Sequence, residues 1–264
     1  MMGWTGFWKT EKNGEEFFDS AAEGFDIYDG VGVPMAVKTD DNRVIVGGWL
    51  YGYGWGSVIV HRELLQFEKG ILGMRWLPEL SPKPCRDNEL YRESNVQDGS
   101  CFAVKMRKSY YVECTVLPEK NGAIALGFSG EGSAFRLLID SAEKTAEINF
   151  WNKTDIFDGE RILPPHLLVP KLCGDNMMVH QLSDADLPCR AKNFCLANLR
   201  KTDEPYSLKV VLHYEKKTDS VFIDAENAGV RTLVSNRVNT NVSEISFFAD
   251  KAQFAELNIY RLDD

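Results

Sequence analysis

Residues 43–80 read RVIVGGWLYGYGWGSVIVHRELLQFEKGILGMRWLPEL, and this stretch indicates the fold class of the chain. Short runs rich in Val, Ile and aromatic residues alternate in this stretch with glycine-rich breaks. Such runs are typical of β-strands, because β-branched and aromatic side chains pack well on a pleated surface and glycine interrupts it. The pattern continues almost from end to end, so the sequence predicts an all-β protein.

Two β-hairpins are predicted further along the chain. In residues 208–214 apolar side chains recur at every second position, and residues 221–223 start a return strand after a polar turn. A second pair of runs, 134–139 and 146–151, flanks another polar turn. Each pair indicates an antiparallel hairpin with one buried face.

A last strand, with Leu257 and Ile259 on its inner side, is predicted to close a sheet. Sheets that are apolar on one face bury it by packing together, which predicts an antiparallel β-sandwich. Residues 155–204 carry four prolines and no clear strand pattern, and we interpret them as an irregular insertion. It is either a binding loop or a cover for a sheet edge.

The composition is that of a folded globular protein, with 44% hydrophobic and 26% charged residues. A formal net charge of −9 argues against a nucleic-acid-binding surface, which needs clustered Lys and Arg. No apolar run reaches the roughly 18 residues that span a bilayer, and the N-terminal residues lack the apolar core of a signal peptide. A cytoplasmic location is therefore the default expectation.

The six cysteines, at positions 85, 101, 114, 173, 189 and 195, form no Cys-x-x-Cys pair. We expect reduced structural thiols, since no export signal is visible. One segment gathers Cys173, His180, Cys189 and Cys195, but their irregular spacing is not that of a zinc site. The sequence predicts neither a metal nor a cofactor.

Five short motifs follow one another in a distinctive order: Asp26-Ile27-Tyr28, Asp41-Asn42-Arg43, Gly47-Gly48-Trp49, His61-Arg62-Glu63-Leu64 and Leu77-Pro78-Glu79-Leu80. That order resembles glycoside hydrolase family 32, the invertase, levanase and inulinase group. The resemblance implies that residues 1–80 form an incomplete β-propeller segment, similar to the fourth-to-fifth blade of the family. Residues 81–264 would then form the C-terminal β-sandwich, of the jelly-roll or concanavalin-like kind.

The catalytic motifs of that family are absent. A retaining glycosidase needs two carboxyl groups about 5 to 5.5 Å apart. In the family, the nucleophile and the transition-state stabiliser come from two Asp-Pro motifs, and this sequence contains no Asp-Pro dipeptide. Glu113-Cys114 resembles the acid/base pair of the family but follows the propeller exit instead of preceding it, so we expect Glu113 to be a solvated strand residue. No catalytic residue is predicted, and the chain alone is expected to be inactive.

A sugar-binding rim is predicted from an aromatic cluster in the glycine-rich stretch. Aromatic rings offer apolar faces to a sugar, and carboxylates accept hydrogen bonds from its hydroxyl groups. The resemblance places the region around Trp49 near the mouth of the propeller. The candidate substrate-binding residues are Asp26, Tyr28, Trp49, Tyr51 and Trp55. Alternatively, Trp49 is a core aromatic of the last blade.

Three functions follow from these observations. The favoured one is the non-catalytic C-terminal part of a family 32-like hydrolase, with a structural, oligomerisation or carbohydrate-binding role toward fructose-containing sugars. The second is a truncated or split β-fructosidase that is active only with its missing blades. The third is a stand-alone carbohydrate-binding module. Neither nucleic acid nor a membrane is an expected partner.

The incomplete propeller segment generates the first prediction. A blade buries its faces only against neighbouring blades, so this segment must either fold back on the sandwich or pair with a second copy of the chain, and we favour the pairing. Size-exclusion chromatography with light scattering should give a dimer or larger species. A sharp monomer peak would contradict self-association.

Overall fold

The computed structural model describes residues 31–50, 59–68, 71–131, 133–142, 145–151, 155–157, 204–217, 219–234 and 241–263. Most of these residues lie in β-strands, and the strand pairs among them are antiparallel. The helical segment described among them is one short 3-10 turn, Arg86–Asn88. The prediction of an all-β fold is confirmed.

The first four strands form a sheet of their own. They are β1 (Val31–Lys38), β2 (Val44–Leu50), β3 (Ile59–Glu68) and β4 (Ile71–Trp76), and they pair in chain order. A propeller blade has the same number of strands in a sheet. That these strands are a propeller remnant, with a boundary at residue 80, stays a prediction.

The second group of strands forms the sandwich. They are β5 (Glu89–Val96), β6 (Ser100–Ala103), β7 (Ser109–Gly130), β8 (Ser133–Asp140), β9 (Thr145–Phe150), β10 (Tyr206–Glu215), β11 (Ser220–Asn227), β12 (Arg231–Val234) and β13 (Val242–Leu262). The pairing order is β12-β11-β10-β7-β13-β5, with β6 on β13 and with β8 between β7 and β9. Strands β7 and β13 therefore lie at the centre.

These two central strands are 22 and 21 residues long, about four times the usual strand length. Residues 109–118 of β7 pair with one half of β13, and residues 123–130 pair with the other half. Between the halves the register shifts, and Asn121 and Lys251 have left-handed backbone angles, with φ of 61° and 50°. Both strands thus change direction together, at a place that we call the joint bend.

The joint bend folds a continuous sheet over itself into two layers. Val112 and Val116, before the bend in β7, are fully buried in the same apolar cluster as Leu126 and Phe128, after the bend. Side chains from both halves of each long strand therefore fill one core. This arrangement is the predicted antiparallel β-sandwich.

Both predicted hairpins are present, as the pairs β10–β11 and β8–β9. Leu257 and Ile259 are fully buried, as predicted. Their strand, β13, does not close a sheet at its border but lies between β7 and β5. The border position is taken by β5, whose mostly exposed side chains suit an edge strand.

The predicted insertion at residues 155–204 lies almost entirely outside the described residues. Its described start places Ile156 in a buried cluster with Ala125 and Leu138, separate from the main core. These two residues alternate along β7 and β8 with side chains of the main core, so they lie on the outer face of their layer. The start of the insertion therefore covers a sheet face.

Gly122 provides a test of the joint bend. A Cβ atom there would lie 2.2 Å from the carbonyl oxygen of Lys251. We expect Gly122→Ala to lower the free energy of unfolding by about 2 kcal/mol, since backbone atoms must move apart. Urea unfolding measures the change.

The matched control is Gly99→Asn. Gly99 has a φ of 77°, and a Cβ atom added there would have no other atom within 4 Å. Asparagine tolerates that backbone angle, so the cost should stay below about 1 kcal/mol. Equal unfolding midpoints for Gly122→Ala and the wild type would contradict close packing at the bend.

Candidate functional site

The candidate site lies where the four-stranded sheet meets the sandwich. The alternation of side chains along each strand determines which residues lie on the contacting faces of the sheet and the sandwich. On β11, Ile223 and Ala225 enter the sandwich core, so Asp224 and Glu226 lie on the opposite face. On β3 and β4, Arg62 pairs directly with Trp76, and both are buried. The two polar faces meet.

Three hydrogen bonds join these surfaces, and a fourth connects two side chains of the sandwich. Arg62 Nη2 and Trp76 Nε1 donate to the same oxygen, Oδ1 of Asp224, at 2.8 and 2.9 Å. The backbone nitrogen of Trp76 donates to Glu226 Oε2 at 2.7 Å, and Lys209 Nζ donates to Glu226 Oε1 at 3.3 Å. We call these five residues, from β3, β4, β10 and β11, the polar clamp.

The polar clamp is shielded from water. The side chains of Arg62, Glu226 and Asp224 are 4%, 6% and 18% exposed. Buried charges are costly unless they are paired and hydrogen-bonded, and removal of one partner leaves the other uncompensated. The polar clamp therefore favours one orientation of the sheet on the sandwich over others.

Aromatic packing surrounds the polar clamp. The ring of Trp76 lies 6.5 Å from that of Tyr111, which in turn lies 6.1 Å from Tyr260, measured between centroids. Burial, followed by the nearby Glu113 carboxylate, raises the pKa of Tyr111 well above its usual range. A further apolar cluster across the interface consists of Val60, Phe222 and Val234. Tyr111 thus remains a neutral packing group at ordinary pH.

A cleft of about 520 Å³ opens beside the polar clamp. His213 and Phe222 line it from the sandwich, with ring centroids 4.7 Å apart. Arg62 and Asp224 also line it, and one wall is formed by residues between Leu77 and Cys85. An apolar ring platform beside hydrogen-bonding groups, in a volume of this size, is typical of small-molecule sites.

Of the five predicted sugar-binding residues, Trp49 lies within the described ranges. Trp49 lies in β2, where its backbone pairs with Gly32 and Ile59. The other four, which lie outside the described residues, are Asp26, Tyr28, Tyr51 and Trp55. Their role as a sugar rim stays a prediction.

Glu113 lies on β7, as expected, opposite Lys209 and Asn258. The expectation that it is solvated is only half right, because its side chain is half-buried. The reason is its position on the sandwich face that Trp76 covers, next to Tyr111. The sequence alone does not show that the four-stranded sheet packs against this face of the sandwich.

Asp224, Glu226 and Trp76 were not among the predicted site residues. A signal for the two acids exists in the sequence, because they fall at alternate positions of a strand whose other positions are apolar. That alternation places them together on one face but does not say what they meet. Only the fold brings Arg62 to Asp224.

Metal-binding and thiol features are limited within the described residues. In that part of the chain, no three His, Cys, Asp or Glu side chains form a group that could hold a metal. Cys173, His180, Cys189 and Cys195 lie outside it. The described thiols, Cys85, Cys101 and Cys114, are free. Among the residues described, no helix has the length and apolar character to span a membrane.

Comparison with known proteins gives a fold but no family. No protein-family profile matches the sequence, and no curated protein does. Among solved structures, the chain is similar to an exo-inulinase from Aspergillus awamori, with a TM-score of 0.52 and 11% identity. The match covers 97% of this chain and 49% of the exo-inulinase, so this chain spans about half the length of that enzyme.

Two further similarities have lower TM-scores. A glycoside hydrolase family 32 protein from Bifidobacterium adolescentis has a TM-score of 0.41 and 12% identity. The match covers 96% of this chain and 36% of that protein. The galectin LEC-6 from Caenorhabditis elegans has a TM-score of 0.39 and 10% identity, and the match covers 68% of this chain and 99% of the galectin. The likeness to the exo-inulinase is one of fold alone.

The polar clamp generates a prediction about stability. Arg62→Met should lower the free energy of unfolding by about 3 kcal/mol, because Asp224 loses its ion pair with Arg62 in a shielded interface. In the double variant Arg62→Met/Asp224→Leu the loss should be smaller than the sum of the two single losses, by about 2 kcal/mol. Urea unfolding of the four proteins measures this coupling.

The control pair is Arg92–Glu89, a 2.6 Å ion pair in which Arg92 is 58% exposed. Its coupling should fall within the error of the measurement, because exposed ion pairs contribute little. Equal coupling for the two pairs would contradict a special role of the polar clamp.

Proposed function

We propose that this chain is the C-terminal part of a family 32-like glycoside hydrolase and that it acts as a non-catalytic scaffold. Its task is to hold a blade-like sheet, β1–β4, in one fixed orientation on a β-sandwich. The observation that carries this proposal is the polar clamp, in which Arg62 and Trp76 of the sheet bond to Asp224 and Glu226 of the sandwich. Buried polar contacts of this kind specify an orientation.

The opposite face of the four-stranded sheet supports the scaffold role. Met35, Val37 and Ile59 are 74%, 59% and 63% exposed. Cross-strand register puts them on the face turned away from Arg62 and Trp76. Exposed apolar residues on a sheet face favour a covering partner, which would be the missing blades of a split enzyme or a second copy.

Catalysis by this chain alone is not part of the proposal. The two Asp-Pro motifs of the family are missing from the sequence, and Glu113 lies on a sandwich strand. The purified chain should release no fructose from sucrose or inulin. Fructose release, measured beside a Trp49→Ala control, is the test.

Fructose release that is lost in Trp49→Ala would overturn the scaffold proposal, because it would require an unrecognised carboxylate pair near β2. Release that appears only after addition of a separately produced propeller half would instead favour a split β-fructosidase. A glycan array with fructan and non-fructan ligands tests the remaining alternative, a carbohydrate-binding module unrelated to fructans.

A second candidate function is the binding of a fructose-containing carbohydrate, and the cleft favours it. His213 and Phe222 present two rings tilted by 38° to each other, and Asp224 and Arg62 line the same cleft with polar groups. A sugar needs both an apolar platform and hydrogen-bonding partners. The exo-inulinase, to about half of which this chain is similar in fold, is named for a fructan.

Binding of an inulin-type oligosaccharide, followed by calorimetry, tests the cleft. We expect His213→Ala to weaken binding by roughly fivefold to tenfold, because it removes half of the ring platform. Trp49→Ala is the comparison variant. If Trp49→Ala weakens binding and His213→Ala does not, the site is the predicted rim on β2 and its neighbours and not the cleft.

A further inference from the structure

The joint bend contains an asparagine that is followed directly by glycine. The sequence has two such pairs, Asn13–Gly14 and Asn121–Gly122. The first lies outside the described residues, and the second lies within β7 at the bend. The side chain of an asparagine is a carboxamide whose carbon can be attacked by the backbone nitrogen of the next residue. An Asn-Gly pair favours this reaction, because glycine has no side chain to obstruct it.

Asn121 is well placed for such a reaction. It is exposed, its φ is 61°, and its carboxamide has no hydrogen-bond partner among the described residues. A carboxamide that is held by hydrogen bonds would be kept away from the backbone, and no described residue holds the carboxamide of Asn121. The electrophilic carbon is therefore free to rotate toward the nitrogen of Gly122.

We propose that Asn121–Gly122 is a self-modification site that loosens the joint bend. The nitrogen of Gly122 forms a bond to Cγ of Asn121, and the carboxamide nitrogen leaves as ammonia with the amide proton of Gly122. The product is a cyclic imide. Water then adds to one of its two carbonyl carbons and opens the ring. The result is aspartate or isoaspartate, and water is the only co-reactant.

Isoaspartate adds one carbon atom to the main chain at a place without spare room. A Cβ atom on Gly122 would lie 2.2 Å from the carbonyl oxygen of Lys251 and 3.1 Å from that of Glu119. A lengthened chain at Asn121 displaces Gly122 against these backbone atoms. Because both layers of the sandwich are continuous through the joint bend, the conversion destabilises the whole sandwich.

The chain provides its own matched control in Asn42. It is exposed and has a φ of 65°, so its backbone and its access to solvent are like those of Asn121. The next residue is Arg43 instead of glycine. A difference in conversion between the two asparagines therefore reports on the following residue and the local backbone.

The experiment incubates the purified chain in warm, mildly alkaline buffer and follows each asparagine-containing peptide by mass spectrometry. Fragmentation that separates aspartate from isoaspartate identifies the product. We expect Asn121 to convert on the order of ten times faster than Asn42. The urea midpoint of the aged protein should fall relative to that of fresh protein.

The variant Asn121→Gly completes the test. Glycine removes the carboxamide and accepts the backbone angle at this position. The aged variant should keep the urea midpoint of its fresh form, although Asn13–Gly14 is still present. Equal conversion of Asn121 and Asn42 would overturn the proposal. So would a loss of stability on ageing that persists in Asn121→Gly, or conversion of Asn121 without any loss.

Discussion

Backbone packing at the joint bend is the constraint on which the sandwich depends. Strands β7 and β13 cross from one layer to the other together, and Gly122 lies against the backbone of Lys251 where they turn. If one strand turned without the other, the pairing between them would be broken in the middle. The two layers, the shared core and the face that receives the four-stranded sheet all follow from this common turn.

The attachment of the four-stranded sheet depends on a different kind of interaction. Its apolar contacts with the sandwich, such as Val60 with Phe222 and Trp76 with Tyr111, are not directional enough to select one orientation. Asp224 receives two donors on one oxygen, and both come from the sheet. This geometry cannot be kept if the sheet slides over the sandwich by one residue, since a shift of about 3.3 Å takes both donors out of hydrogen-bond distance of Asp224. Part of the polar clamp also lines the cleft, so that wall of the cleft is held in the same fixed geometry.

Alternation of apolar residues was sufficient to predict the hairpins β8–β9 and β10–β11, because each forms between neighbours in sequence. It was not sufficient for β13, whose central position depends on partners far along the chain. The polar clamp was beyond sequence reasoning for the same reason: Arg62 and Asp224 are separated by 162 residues. Alternation says which face a charged residue occupies, and only the tertiary fold says what that face meets. The order of motifs predicted the kind of sandwich, and the likeness to exo-inulinase agrees with it.

The central position of β13 also has a consequence for biosynthesis. Residues 109–130 of β7 leave the ribosome well before residues 242–262, with which most of that strand pairs. At synthesis rates of about 5 to 20 residues per second, the apolar face of β7 waits several seconds for its partner. Closing so long a loop is also slow. During that interval the nascent sandwich has an open strand edge beside a long apolar surface, which exposes it to aggregation.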